Sequence, residues 1–211
     1  MNNEGKVILI GGKKGVGKST LASGLLNHFE SARIENLADP LKKQVYDLNP
    51  WVFIKDSSTP DLIPIKLKEF VDKVGWDVAK QELEVRQMLQ NYGSVMKKHH
   101  GWSFWVKKKY SAIKNTKKGS HLIIPDFRYT YEASYVASIV GTNNIILIYL
   151  SGNEDSEDTH SSESLTVEDI YKWIKETIAS YNWSKPARFI TIDRSKGVDG
   201  VLSEALEFIN G

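Results

Sequence analysis

Gly12-Lys13-Lys14-Gly15-Val16-Gly17-Lys18-Ser19 follows the apolar run Val7-Ile8-Leu9-Ile10 and leads into Thr20-Leu21-Ala22-Ser23-Gly24-Leu25-Leu26. The order is strand, glycine loop, helix, and the loop reads G-x-x-x-x-G-K-S. Glycines let the backbone take positive φ and wrap closely round an oxyanion, so that successive amide N–H groups point inward. The next helix adds its unpaired N-terminal donors and the positive end of its dipole. Lys18 can then set a point charge on the β- and γ-phosphates, and the Ser19 hydroxyl can ligate a bridging Mg²⁺. Gly12, Lys14, Gly15, Val16, Gly17, Lys18, Ser19 and Thr20 are thus expected to hold a nucleoside triphosphate, with ATP and Mg²⁺ as the cofactors. Glycines that merely close a turn would explain neither the lysine nor the hydroxyl.

Working outward, 211 residues suffice for one α/β domain with insertions. The absence of cysteine excludes disulfides, thiolate metal sites and cysteine nucleophiles, and permits a reducing cytosol. A net charge of +2 falls short of the excess that marks a dedicated nucleic-acid binder. No stretch resembles a signal peptide, and no apolar run approaches the roughly 20 residues that span a bilayer. The expectation is a cytoplasmic protein with a small-molecule partner and no membrane partner. A nucleic-acid partner is not expected, and a homodimer stays open.

Residues 31–37 alternate as a short second strand and deliver Ala38-Asp39-Pro40-Leu41-Lys42-Lys43 to the end of the sheet. Asp39 suits an N-cap and Pro40 a first helical turn, but the carboxyl end of such a strand is also where ligands sit. Residues 49–64, punctuated by Pro50, Pro60 and Pro64, read as a loop or flap. Helices are expected over 65–74 and 83–98. In the second, Val85, Met88, Leu89, Tyr92 and Val95 or Met96 are expected to form a buried stripe, with Arg86 and Gln90 sharing an adjacent face. Residues 97–118 hold lysines, histidines and aromatics but no carboxylate. They admit a single-stranded nucleic-acid platform, or an amphipathic helix with Trp102, Trp105 or Val106 and Ile113 in the core; the second is expected.

His121-Leu122-Ile123-Ile124-Pro125-Asp126 is an apolar strand ending in an acid, which can hold Mg²⁺ or its water opposite Ser19. Residues 144–150 form a strand covered on both faces. Residues 151–164 form a polar, acidic loop, and Thr166-Val167-Glu168-Asp169 caps a helix with Ile170, Trp173, Ile174, Thr177 and Ile178 inward. A fifth strand over 188–192 and a closing helix over 200–209 complete an α/β fold: a five-stranded parallel sheet with helices on both faces. The expected division is a core of 1–48, 119–150 and 182–211, an acceptor-binding insertion over 49–118 and a lid over 151–181.

GGKKGVGKST, ADPLKK, GWDVAKQELEVRQMLQNYGS, LIIPDFRYTYE and DTHSSE, in this order, resemble the deoxynucleoside monophosphate kinases of bacteriophages, a branch of the adenylate-kinase-like P-loop kinase fold. The resemblance runs from about Lys6 to Glu163. It implies transfer of the γ-phosphoryl group of ATP to a deoxynucleoside monophosphate, giving the diphosphate and ADP. By it, Asp39, Lys42, Arg86, Gln90 and Glu132 lie round the acceptor, Arg128 near the phosphates, and His160 and Glu163 in the lid. Lys18, Arg128 and Asp126 are the expected catalytic residues, with Ser19 and Asp126 on Mg²⁺. Two departures stand out: residues 151–171 carry no arginine or lysine, and Lys97 and Lys98 stand where related kinases commonly have arginine. Competing readings are a kinase of another acceptor, dephospho-coenzyme A or a shikimate-like alcohol, and a nucleic-acid-stimulated ATPase.

Overall fold

A computed structural model describes residues 5–55, 61–116, 120–152, 165–181 and 185–211. Two compact units divide the chain: one of Met1–Leu37 with Val106–Gly211, the other of Ala38–Trp105.

In the first unit, β1 (Lys6–Gly12), β2 (Ala32–Ile34), β5 (His121–Ile124), β6 (Ile145–Ser151) and β7 (Arg188–Asp193) form a parallel sheet in the order β2-β5-β1-β6-β7. Such a sheet is buried on both faces, so its central strands must be apolar throughout rather than alternating. Val7 to Ile10 and Ile145 to Leu150 meet that demand and are all buried. One face packs under α1 (Lys18–His28) and α9 (Gly197–Asn210), through Leu21, Leu25, Val201, Ala205 and Ile209. The other lies under α7 (Thr130–Val140) and α8 (Val167–Tyr181), through Ala133, Val136, Ile170 and Trp173.

Helix α8 begins on a reciprocal cap: Asp169 N donates to Thr166 Oγ1 (3.1 Å), and Thr166 N donates to Asp169 Oδ2 (2.9 Å). Ile170 and Trp173, which the sequence places inward, belong to the core cluster, with Val167 and Ile174 packed against it. Residues 153–164, with His160 and Glu163, lie outside the described residues, as does the Ile178 side chain.

The second unit contains α2 (Asp39–Leu48), β3 (Trp51–Lys55), β4 (Leu62–Lys66), α3 (Leu67–Ala79) and α4 (Leu83–His100), packed round Val45, Val52, Leu67, Phe70, Val71 and Val85. Within the loop or flap expected over 49–64, Trp51–Lys55 and Leu62–Lys66 pair as an antiparallel ribbon, with Phe53 opposite Pro64. Phe53 N donates to Glu84 Oε2 (2.6 Å) rather than across the ribbon. Pro64, which has no donor, therefore sits in a pair that needs none. The prolines disguised a strand signal that Trp51-Val52-Phe53-Ile54 carries plainly.

The single amphipathic helix expected across 97–118 is also corrected. Gly101, at φ 91°, ends α4, and the chain restarts as α5 (Phe104–Lys107) and α6 (Tyr110–Lys114), which resets the helical phase. Trp105, Val106 and Ile113 are buried, but Trp102 is 68% exposed, with the Lys97 ammonium 6.0 Å from its ring centroid. No described helix is long and apolar enough to cross a membrane.

Candidate functional site

Parallel strands leave a sheet at one end, so the segments after β1, β5, β6 and β7 emerge on a common edge. After β1 the chain turns through Gly12 (φ 132°), Gly15 (φ 76°) and Gly17 (φ 103°). At Gly12 a Cβ would stand 2.5 Å from the carbonyl oxygen of Leu150 on β6, so only glycine lets the loop lie against that strand. Gly17 is the N-cap of α1 and supplies no side-chain acceptor, leaving the helix's first amides without the usual side-chain cap. Lys18 Nζ reaches back over the loop to donate to the carbonyls of Gly12 and Lys13, each at 2.6 Å. Ser19 and Thr20 are exposed in the first turn, as is Lys14 on the loop, and Val16 is buried beneath it.

Asp126 lies two residues beyond β5, the neighbour of β1. Its Oδ1 accepts from Leu37 N (2.8 Å), which ties together the exits of the adjacent strands β2 and β5. Arg128 is exposed, and its backbone N–H donates to Glu132 Oε2 (2.9 Å), as does that of Tyr129 (3.1 Å). Glu132 is buried and engaged with the amides at the start of α7. It holds the loop that carries Arg128, a role that its position three residues into the helix could have signalled.

Burial pushes the Glu132 carboxyl up to about 7, Asp126 adds to this, and the amides of Arg128 and Tyr129 oppose it. Burial likewise raises the Tyr131 phenol, with Glu132 and Tyr129 beside it. A carboxyl that holds its proton more tightly when folded contributes stability that is full below its ordinary value and lost as pH rises through about 7. Glu132→Gln, which stays neutral and keeps an acceptor, should therefore gain on the wild type between pH 5 and 8, by about 2–3 kcal/mol. Melting curves across that range check it; parallel pH profiles of the two proteins would sink it.

Asp39, Lys42, Arg86 and Gln90 all fall in the second unit. Asp39 is the first residue of α2 rather than its N-cap, which is Ala38, and its carboxylate lies 3.9 Å from Lys42 Nζ. Pro40 takes the adjacent first-turn position. Arg86 and Gln90 are half-buried one turn apart on α4, flanking the face that buries Val85.

The donors present fit MgATP. A loop of glycines at positive φ, an ammonium held over it, an exposed hydroxyl in the first helical turn and a carboxylate beyond the neighbouring strand are what a triphosphate and its cation require. Among the described residues no group of three or more histidine, aspartate or glutamate side chains could hold a metal by itself, so a cation here would rely on Ser19, Asp126 and the phosphates.

Loop geometry and strand order together define a P-loop α/β nucleotide-binding fold. No protein-family model and no curated protein matches the chain. Among solved structures it is similar to a gluconokinase from Sinorhizobium meliloti 1021 (9% identity, TM-score 0.44, covering 100% of this chain and 94% of that one). It is also similar to a thymidylate kinase from Candida albicans (13%, 0.43, 98% and 92%) and to a deoxyadenosine kinase from M. mycoides (15%, 0.38, 97% and 98%). Similarity of this degree carries no argument about activity, and the class rests on the loop and the strand order.

Proposed function

We propose that the chain is an ATP-dependent deoxynucleoside monophosphate kinase. The observation that carries phosphoryl chemistry is the glycine cradle with Lys18 Nζ held across it. The acceptor rests on the sequence blocks round Arg86 and Asp126-Phe127-Arg128.

A loose phosphoryl transition state needs alignment and charge compensation more than covalent help. A nucleoside monophosphate has a second pKa near 6, so its attacking oxygen is largely deprotonated at neutral pH and no general base is required. Lys18 and Arg128 would balance the equatorial oxygens, Ser19 and Asp126 would hold Mg²⁺, and Arg86 would grip the acceptor phosphate while Asp39 orients the nucleoside. Bound Mg²⁺ would neutralise charge on the β- and γ-phosphates.

An acceptor panel with MgATP tests the reading: the four deoxynucleoside monophosphates, 5-modified pyrimidines, ribonucleotides, dephospho-coenzyme A and shikimate. A deoxynucleoside diphosphate and ADP in equal amounts are expected. Phosphorylation of an alcohol alone would overturn it. Exposed Trp102 beneath Lys97 favours a second reading, DNA-stimulated ATP hydrolysis, which a DNA arm without acceptor would reveal. Arg86→Ala should raise the acceptor KM about tenfold or more and also lower kcat. Values of both within twofold of the wild type would remove Arg86 from the acceptor site.

A further inference from the structure

Residues 151–171 offer no lysine or arginine to the phosphates, yet the described structure sets a second cation against the loop from the β7 side of the sheet. Strands β1, β6 and β7 are consecutive neighbours, and the chain leaves β7 at Asp193 directly into a 3₁₀ turn, Arg194–Lys196. Asp193 Oδ1 accepts from Ser195 N (2.7 Å) and fixes that turn. The Arg194 stem then passes over Gly152, just beyond β6, where a Cβ would stand 2.9 Å from Cγ and 3.6 Å from Cδ. Its Nη1 donates to the carbonyl of Gly15 at the crown of the phosphate loop (3.3 Å).

We infer that Arg194 is a positioning residue for the triphosphate: by tethering the Gly15 carbonyl to the turn after β7 it holds the crown of the phosphate loop in place. The peptide plane explains the effect. The amide of the same rigid peptide unit, that of Val16, donates to the Lys13 carbonyl (3.4 Å), so this peptide is held from both sides and the crown keeps one shape. A donor with a formal charge makes a stronger tether than a neutral one. The guanidinium also brings to this edge a positive charge that residues 151–171 do not supply. This rests on the nucleotide-binding reading above but not on the identity of the acceptor.

Calorimetry on the full chain tests it with two probes, MgATP and magnesium tripolyphosphate, the second having no base or ribose. Arg194→Ala should weaken both by a similar factor, about five- to tenfold, with the melting temperature within about 2 °C of wild type. Arg194→Lys should recover part of the loss. In turnover the KM for ATP should rise while kcat at saturation and the acceptor KM stay within twofold. Weakening of MgATP alone would place Arg194 on the base and overturn the inference, as would unchanged binding of both, or a loss of binding matched by a fall in melting temperature. A wild type that binds neither probe would overturn the phosphate-loop reading and this one together. Binding of both without any deoxynucleotide product would remove only the proposed acceptor, leaving the comparison of wild type with Arg194→Ala to decide this inference.

Discussion

Lys18→Ala should abolish turnover, with kcat down by at least about 10³-fold, the scale expected when a preorganised charge on the transferred phosphoryl group is removed. Lys18 is the group whose ammonium reaches the loop's own carbonyls at Gly12 and Lys13, so its stem already spans the place where the phosphates are proposed to lie. Alanine removes both that charge and the two charge-assisted bonds that brace the loop. Binding and chemistry then separate in a measurable way. MgATP affinity should fall more modestly than kcat, because the glycine amides and the start of α1 remain. Single-turnover rates and calorimetry on the same preparation supply both numbers. A variant that keeps more than a tenth of wild-type kcat would show that the phosphoryl group is handled elsewhere.

Gly12→Ala should be the most destabilising single methyl in the loop. The added Cβ would meet the Leu150 carbonyl oxygen at 2.5 Å and Val16 Cγ1 at 3.0 Å, at a φ of 132° that side chains rarely adopt. The carbonyl belongs to β6, which pairs with β1 along its length, so it cannot step aside without disturbing the central ladder. Strain and overpacking together should cost about 3–5 kcal/mol, a fall of roughly 10–15 °C in melting temperature for a chain of this size. Gly17→Ala is the matched comparison: its φ is also positive, at 103°, but nothing lies within 4 Å of the added carbon. It should cost only about 1–2 kcal/mol. Equal losses at the two positions would refute the steric account.

The parallel sheet was legible because its signals are local. Runs such as Ile145 to Leu150 have only one good use in an α/β chain, and the glycine loop fixes the turn and helix after β1. Other features depend on what the chain meets in space. Pro64 looked like a breaker because a sequence does not say that its strand lies in a two-stranded ribbon. Trp102 fitted a helical face only while the helix was assumed to run through Gly101. The resemblance places Glu132 round the acceptor, whereas its desolvation is a property of the packed α7 that no sequence pattern displays. Arg194 carried a faint positional signal, a cation just past a strand's carboxyl end. Strand order turns that signal into proximity, by placing β7 two positions from β1.

The ribbon of β3 and β4 carries exposed Trp51, Phe53 and Leu62, a combination that ordinarily invites foreign backbone to add on. Both flanks are shut. Glu84 already takes the Phe53 amide, and Pro64 offers none, so a neighbouring molecule finds no continuous row of donors to copy. An apolar surface can thus be displayed at high protein concentration without seeding a fibril, the prolyl ring and one carboxylate serving as chain terminators for intermolecular growth.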